Sequence, residues 1–463
     1  MHNSDFLGKE PVGRLLWRLM LPSCASITIN CLYNLVDRLY IGRGVGADAM
    51  AGLSLTFPYM IILAAFGMMV GMGSGAVISI LLGEQRKEDA EKVLGQAVAM
   101  CLLFLCTFQF IALWLLDSTL HLFGGTEQAI PYARDYLTII LWGNIFQHIS
   151  FGMSNLVRAE GQAVKAMGII ALGAGLNIAL DPLFIFVLNM GIKGAAYATV
   201  LAMMCSSTWV MLHFILGRGT LKLHWRNIRI YPRLFWRVVS IGISPCLMQI
   251  VHSGVVILYN HSFRIFAETP EQATHGIAAF GIVNTVMMFL LMPTFGISQG
   301  AQPIFGYNTG SRQFDRVMHA LRLAGRMATL CCLTFALLLF LCAPWVSLCF
   351  TNDPALLEIT KHGLRVNSLG LTFIGIGIIT GNYFQSAGRA SIAIAISLSR
   401  QILILAPVLL TLPRFYGFKG VWWSAPVSDT LCGVTCFVIV AFELLRLNRL
   451  QKQGAPASGV GAT

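Results

Sequence analysis

Long apolar runs, separated by short stretches rich in Arg, Lys, Gly and Asn, follow one another along the whole chain. Runs of about 20 residues suffice for a helix to cross a hydrocarbon core of roughly 30 Å. The pattern predicts twelve helices, over 15–42, 49–81, 93–116, 131–156, 164–189, 191–216, 238–261, 275–305, 317–350, 357–386, 390–412 and 417–446. The first run has no separate charged head and no small-residue cleavage site after it, so it is expected to remain as a helix. The fold class that follows is an all-α polytopic membrane protein.

The chain also resembles itself. "GRLLWRLMLP" at 13–22 matches "PRLFWRVVSIGISP" at 232–245, and "LLGEQRKEDAEKVLGQA" at 81–97 lies over "IFGYNTGSRQFDRVMHALRLA" at 304–324. "RAEGQAVKAM" with "GIKGAA" pairs with "QSAGRASIAI" and "GFKGVW" in the same order. Two pseudo-symmetric six-helix bundles, related by an axis along the membrane normal, are therefore expected. The expected organisation is a cytoplasmic N-terminal segment over 1–14, an N-lobe over 15–216 and a basic linker over 217–237. A C-lobe over 238–446 and a disordered cytoplasmic tail over 447–463 complete it.

Composition strengthens this picture. Hydrophobic residues make up 56% of the 463 positions and charged residues 11%, with a mean hydropathy of +0.72; soluble domains carry about 25% charged residues. The net charge of +12 does not point to nucleic acid, because the basic residues sit in short loops between apolar runs. The side holding both termini collects more than twice as many Lys and Arg as the other, which orients the termini to the cytoplasm of a plasma membrane. The linker "GRGTLKLHWRNIRIYPRLFWR" is read as lying against anionic headgroups. The twelve cysteines are scattered, with no C-x-x-C or Cys/His spacing, so neither a metal site nor a cofactor is expected. His148, His213, His252 and His319 are read as packing or interfacial residues. Nucleotide-binding loops and hydrolase motifs are missing, and the Gly-rich "GMMVGMGSGAV" at 67–77 falls inside a helix, where it serves close packing.

The chemistry-bearing residues are polar ones at membrane depth. Asn30, Tyr33, Asn34 and Asp37 follow i, i+3, i+4, i+7 spacing and form one polar stripe on the first helix. Asn177 precedes Asp181 by one turn, Pro182 follows it, and Thr199 on the next helix can reach the same depth. A carboxylate at the helix centre costs on the order of 2.5–3.5 kcal/mol by insertion scales and marks an ion or proton path. These oxygens suit a proton or Na+ equally. Arg38 offers Asp37 a structural ion pair as an alternative. Aligning the halves places Asp37 over Asn260 and Asp181 over Pro407, so both acids are assigned to the first half, with no acid opposite them. Gln249, Asn260 and Met287, with the polar stripe of the first helix, are candidates for lining a substrate cavity; Met68, Met69, Met72 and Met288 could add an adaptable surface.

"LPSCASITINCLYNLVDRLYIGRGVGADAMAGLSLTFP", "RAEGQAVKAMGIIALGAGLNIALDPLFIFVLNMGIKGAAYATV" and "NYFQSAGRASIAIAISLSRQILILAPVLLTLPRFYGFKGVWWSAPVSD" resemble the MATE (multidrug and toxic compound extrusion) transporters, nearest the DinF-type branch. The resemblance implies an antiporter exporting lipophilic cations against H+ or Na+, working as a monomer, and not an enzyme. It implies a cation site at Asp37, Asn177, Asp181 and Thr199. It adds a position often Asn or Glu that is Ser154 here, and it puts Arg38 where relatives carry a small Thr or Ser. The acids of the NorM-type branch have no match: Gln249 and Asn260 are the nearest polar residues on helix 7, and Glu358 sits at the edge of helix 10. A flippase for lipid-linked oligosaccharides is the alternative, and it needs several intramembrane cations; Arg38, Arg134, Arg365 and Arg400 are the candidates.

Overall fold

The computed structural model describes residues 4–122 and 127–454. Its long helices are α1 Val12–Gly44, α2 Ala47–Gly83, α3 Lys87–Trp114, α4 Ala129–Ala159, α5 Ala163–Pro182 and α6 Gly191–Ile215. They are followed by α7 Pro232–Phe266, α8 Pro270–Gly310, α9 Phe314–Leu348 and α10 Pro354–Ser386. Two more, α11 over 390–416 and α12 over 418–454, meet at Gly417, whose φ of 56° and ψ of −141° no helix interior accommodates. No strand occurs among the described residues.

Ten stretches are long and apolar enough to cross a membrane among the described residues. One of these, Ala390–Gln453, holds both α11 and α12. Helix α4 is long enough at 31 residues, but Asn144, Gln147 and His148 at its middle lower its hydropathy. Twelve helices long enough to cross a membrane result among the described residues, as expected. Several are longer than the apolar pattern implies, because hydropathy ends where the lipid does and the helix continues into the headgroups. Helix α10 begins where the Asp353 carboxylate accepts the Ala355 N–H at 2.9 Å, with Pro354 at the first position. Helix α8 begins where the Thr269 hydroxyl accepts the Gln272 N–H at 3.1 Å. Helix α12 runs past the expected boundary at 446, and the remaining tail residues 455–463 lie outside the described residues, as do residues 1–3.

The packing repeats between halves. Helix α1 packs on α5, α2 on α4, α4 on α6 and α5 on α6; in the same way α7 packs on α11, α8 on α10, α10 on α12 and α11 on α12. Between halves the pairings are also reciprocal, α1 with α8 and α2 with α7. These crossings lie toward the end of the molecule that carries both termini. There a Cβ on Gly73 of α2 would overlap the Val238 carbonyl of α7, and one on Gly242 of α7 would overlap the Met69 carbonyl of α2. Glycine lets the two backbones touch. Toward the other end the same four helices carry half-buried or exposed residues such as Asn34, Phe57, Ile257 and Met288, and the halves diverge.

The basic linker is fastened to the first half. The Glu160 carboxylate accepts the N–H groups of Thr220 and Leu221 at 3.2 and 3.1 Å, the Gln96 side-chain oxygen accepts the Tyr231 N–H at 2.9 Å, and Leu221 and Leu223 are buried beneath.

Candidate functional site

Two helices of the first half end near each other at the end opposite the termini, and each carries an acid within about two turns of its end. Asp37 stands two turns before the end of α1, and Asp181 stands one residue before the end of α5. The helices are held together there: Ile185 and Phe186, in a widened turn over Leu183–Val187 that follows Pro182, press on Gly44, and Tyr40 meets Phe186 edge-on at 6.2 Å. The widening follows from Pro182, which lacks an N–H and loosens the helical ladder. As a result the two carboxyl groups meet within hydrogen-bonding range of each other.

The remaining members come from α5 and α6. Asn177 Nδ2 donates to Asp181 Oδ1 at 3.3 Å and to Thr199 Oγ1 at 3.2 Å, while the Thr199 hydroxyl donates to the Ala195 carbonyl at 2.9 Å. Asp181 is fully buried and Asn177 nearly so, at 0% and 2% exposure, with Asp37 at 8%. Three buried acceptors, Asp37 Oδ1, Asp181 Oδ2 and Asn177 Oδ1, find no donor among the described residues. Buried polar atoms are paired in the great majority of cases, and an excess of oxygen acceptors at one point is an arrangement that a proton or a hard cation can satisfy.

Arg38 does not join this group. Its guanidinium lies over the Phe57 ring, 5.7 Å from the centroid, and no ion pair links it to Asp37 among the described residues. Tyr136 of α4 does join, standing beside Thr199, and Tyr33 stands beside Asp37. Tyr136 carries no distinguishing signal in the sequence, where an aromatic hydroxyl early in an apolar run looks like an interfacial anchor. Ser154 lies elsewhere. It is on α4, 18 residues beyond Tyr136 and thus about 27 Å along the axis, and it donates to the Ser150 carbonyl of its own helix.

The proposed cavity residues do not form one cluster. Asn34 donates to the Asn30 carbonyl at 2.7 Å and stays exposed on α1, whereas Tyr33 turns to the acids. Gln249 and Asn260 are half-buried on α7, three turns apart, and Met287 packs with Leu290 against the apolar core of the second half.

The assignment of intramembrane acids to the first half alone is overturned. Asp429, on α12, is buried and accepts from Arg400 Nε of α11 at 2.9 Å. The partners are 29 residues apart on different helices. In one sequence nothing links them, and Asp429 reads as a lone charge in "SAPVSDTLCG".

The candidate flippase cations are engaged separately. Arg134 pairs with Asp117 at 2.7 Å, Arg365 lies over Phe340 at 5.7 Å, Arg38 over Phe57, and Arg400 on Asp429. No cationic cluster for a pyrophosphate arises from them.

Comparison with known proteins gives one family and one fold. The MatE family model matches residues 22–183 and 254–410. The chain is 25% identical over 439 residues to the multidrug export protein MepA of Staphylococcus haemolyticus strain JCSC1435, covering 94% of both chains. It is 24% identical over 441 residues to MepA of Staphylococcus aureus strain MRSA252, covering 94% of this chain and 95% of that one. Among solved structures, an outward-facing multidrug resistance MATE family transporter of the MOP superfamily superposes with a TM-score of 0.90 at 24% identity, over 96% of this chain and 99% of that one.

Proposed function

The chain belongs to the MatE family, and from that premise we propose that it is a secondary-active exporter of lipophilic cations, coupled to H+ or Na+ through Asp37 and Asp181. Its relatives are multidrug exporters, a class of transporter and not of enzyme, and as transporters they act on small molecules at a membrane. No relative among these is a flippase. Placement near the DinF-type branch, action as a monomer and cytoplasmic termini in a plasma membrane form part of the same proposal.

The observation that carries the reading is the set of three undonated buried oxygens on Asp37, Asp181 and Asn177. Two carboxylates in contact repel while both are ionised, and a proton or a cation between them removes the repulsion. Helix α1 bears one of the pair and packs along α5, which bears the other. Binding therefore draws the outer part of α1 toward α5, and ion release lets it swing away. Because α1 also crosses α8 of the other lobe, this motion alters the inter-lobe cleft. With the termini cytoplasmic, the cleft between diverging halves opens outward, a state supported by the neighbouring transporter described as outward-facing. A substrate cation in that cleft leaves as the ion enters. Coupling of this kind supplies each transport step with the free energy of an ion gradient and needs no nucleotide site.

Transport of a fluorescent lipophilic cation by reconstituted protein, with pH and Na+ gradients imposed separately, tests the reading. At least one gradient is expected to drive accumulation; if neither does while the protein binds the dye, the coupled-exporter reading is wrong.

A further inference from the structure

The pseudo-symmetry gives the polar group of the first half a counterpart in the second. In the first half the polar group is assembled from α1, α5 and α6. The equivalent helices of the second half are α7, α11 and α12, and these hold Tyr259, Arg400 and Asp429. In the alignment that pairs Gly191 with Gly417, Arg400 falls over Ala174, one turn from Asn177, and Asp429 over Met203, one turn from Thr199. The second half therefore has its own polar centre on the same three helices, displaced one turn toward the termini.

Its geometry differs in one respect. Arg400 donates to Asp429 from Nε alone, and its two Nη groups find no acceptor among the described residues. A guanidinium usually meets a carboxylate with two parallel N–H donors, so a pairing through Nε leaves the outer edge of the fork available. His252 and Tyr259 of α7 and Cys432 of α12 lie within electrostatic range of the pair, and 27% of the Arg400 side chain is accessible, against 10% for Asp429. The Tyr259 hydroxyl there is buried at 4% exposure and also unpartnered, its ring held by stacking on Phe280 at 4.5 Å. Around Arg400, α11 is widened over Ser399–Leu405, as helices are at functional sites, and the Ser428 hydroxyl bonds the freed Arg400 carbonyl at 3.2 Å. Asp429 Oδ2 fits against Gly370 of α10, where a Cβ would stand only 3.1 Å away.

We propose that this centre is a ligand subsite in which the Nη groups of Arg400 take the carboxylate of a zwitterionic or anionic compound, with Tyr259 donating to the same group. Asp429 holds the guanidinium in place and screens its charge, so compounds lacking a carboxylate still pass. The proposal rests on the exporter reading, in that the cleft between lobes must admit substrate.

Equilibrium binding to the purified full-length protein tests it, using a rhodamine with a free carboxylate and its methyl ester, matched in chromophore and size. The wild type is expected to bind both. Arg400→Gln is expected to lose about tenfold or more for the acid and less than about twofold for the ester, the loss of a bidentate charge-assisted contact. Since that variant leaves Asp429 uncompensated, Arg400→Gln with Asp429→Asn, which removes both charges, is the folding control and is expected to discriminate in the same way. Asp429→Asn alone frees the whole guanidinium and is expected to bind the acid at least as tightly as the wild type. Unchanged acid binding in both Arg400 variants, or loss of acid binding in Asp429→Asn, overturns the subsite. A wild type that binds only the ester also overturns it and leaves the exporter reading intact, whereas a wild type that binds neither removes both.

Discussion

Asp37 and Asp181 differ from most buried acids in having each other, and no basic side chain, at contact range among the described residues. Removing either charge should therefore leave folding largely intact and remove the reason for ion uptake. Arg38 gives a sharp control. Because it lies over Phe57 and not on Asp37, Arg38→Ala should change efflux of a lipophilic cation by less than about twofold. Tyr136→Phe removes a hydroxyl next to Thr199, one of the few donors near an acceptor-rich site. Loss of a net contribution of about 1 kcal/mol corresponds to roughly a fivefold fall in ion-coupled transport, with substrate binding unchanged. Asp37, Asn177 and Asp181 were legible from sequence because a carboxylate at membrane depth has few ordinary explanations. Tyr136 and Asp429 were not, since their meaning depends on partners from other helices that no spacing along the chain reveals.

At the scale of the helices, hydrophobic runs located twelve segments but not their true lengths, because capping residues such as Thr269 and Asp353 begin helices outside the apolar region. The widened turns after Pro182 and around Arg400 were invisible to pattern reading, though Pro182 itself signalled a break. Close approach of α2 and α7 at Gly73 and Gly242 has a measurable consequence. Gly242→Ala forces a methyl group against the Met69 carbonyl, so one helix must move. Overpacking of this kind costs about 1–3 kcal/mol, and it falls on the state in which these helices touch. The variant should lower the thermal unfolding midpoint and raise labelling of a cysteine placed at the terminus-bearing end of the cleft. An unchanged midpoint together with unchanged labelling would show that this crossing does not hold the lobes.

For the whole molecule, the two lobes are joined at one end by more than helix crossings. The Leu7 carbonyl accepts from Asn308 Nδ2 and Arg316 Nη2, each at 3.1 Å, and the Glu10 carbonyl accepts from Arg316 Nη2 at 2.6 Å. Leu7 is fully buried, and Phe6 sits against Gly161 of the first lobe. The segment before α1 thus ties Gly161 on one lobe to Asn308 and Arg316 on the other, a role that its sequence, expected only to be a cytoplasmic N-terminal segment, does not signal. Arg316→Ala leaves two carbonyls without their charged donor and should shift the population toward opening at this end, seen as a several-fold rise in labelling there. Deep burial of Asp181, accessibility of the opposite face and closure at the terminus-bearing end are what the proposed exporter requires of one half of an alternating-access cycle. In that proposal the driving element is the carboxyl pair between α1 and α5. The most direct measurement is gradient-driven uptake of a fluorescent lipophilic cation into proteoliposomes by the wild type and by Asp181→Asn, with dye binding measured in parallel. The account predicts that the variant binds dye within about twofold of the wild type and loses at least about tenfold of gradient-driven uptake, roughly 1.4 kcal/mol of coupling; uptake by Asp181→Asn equal to that of the wild type would contradict it.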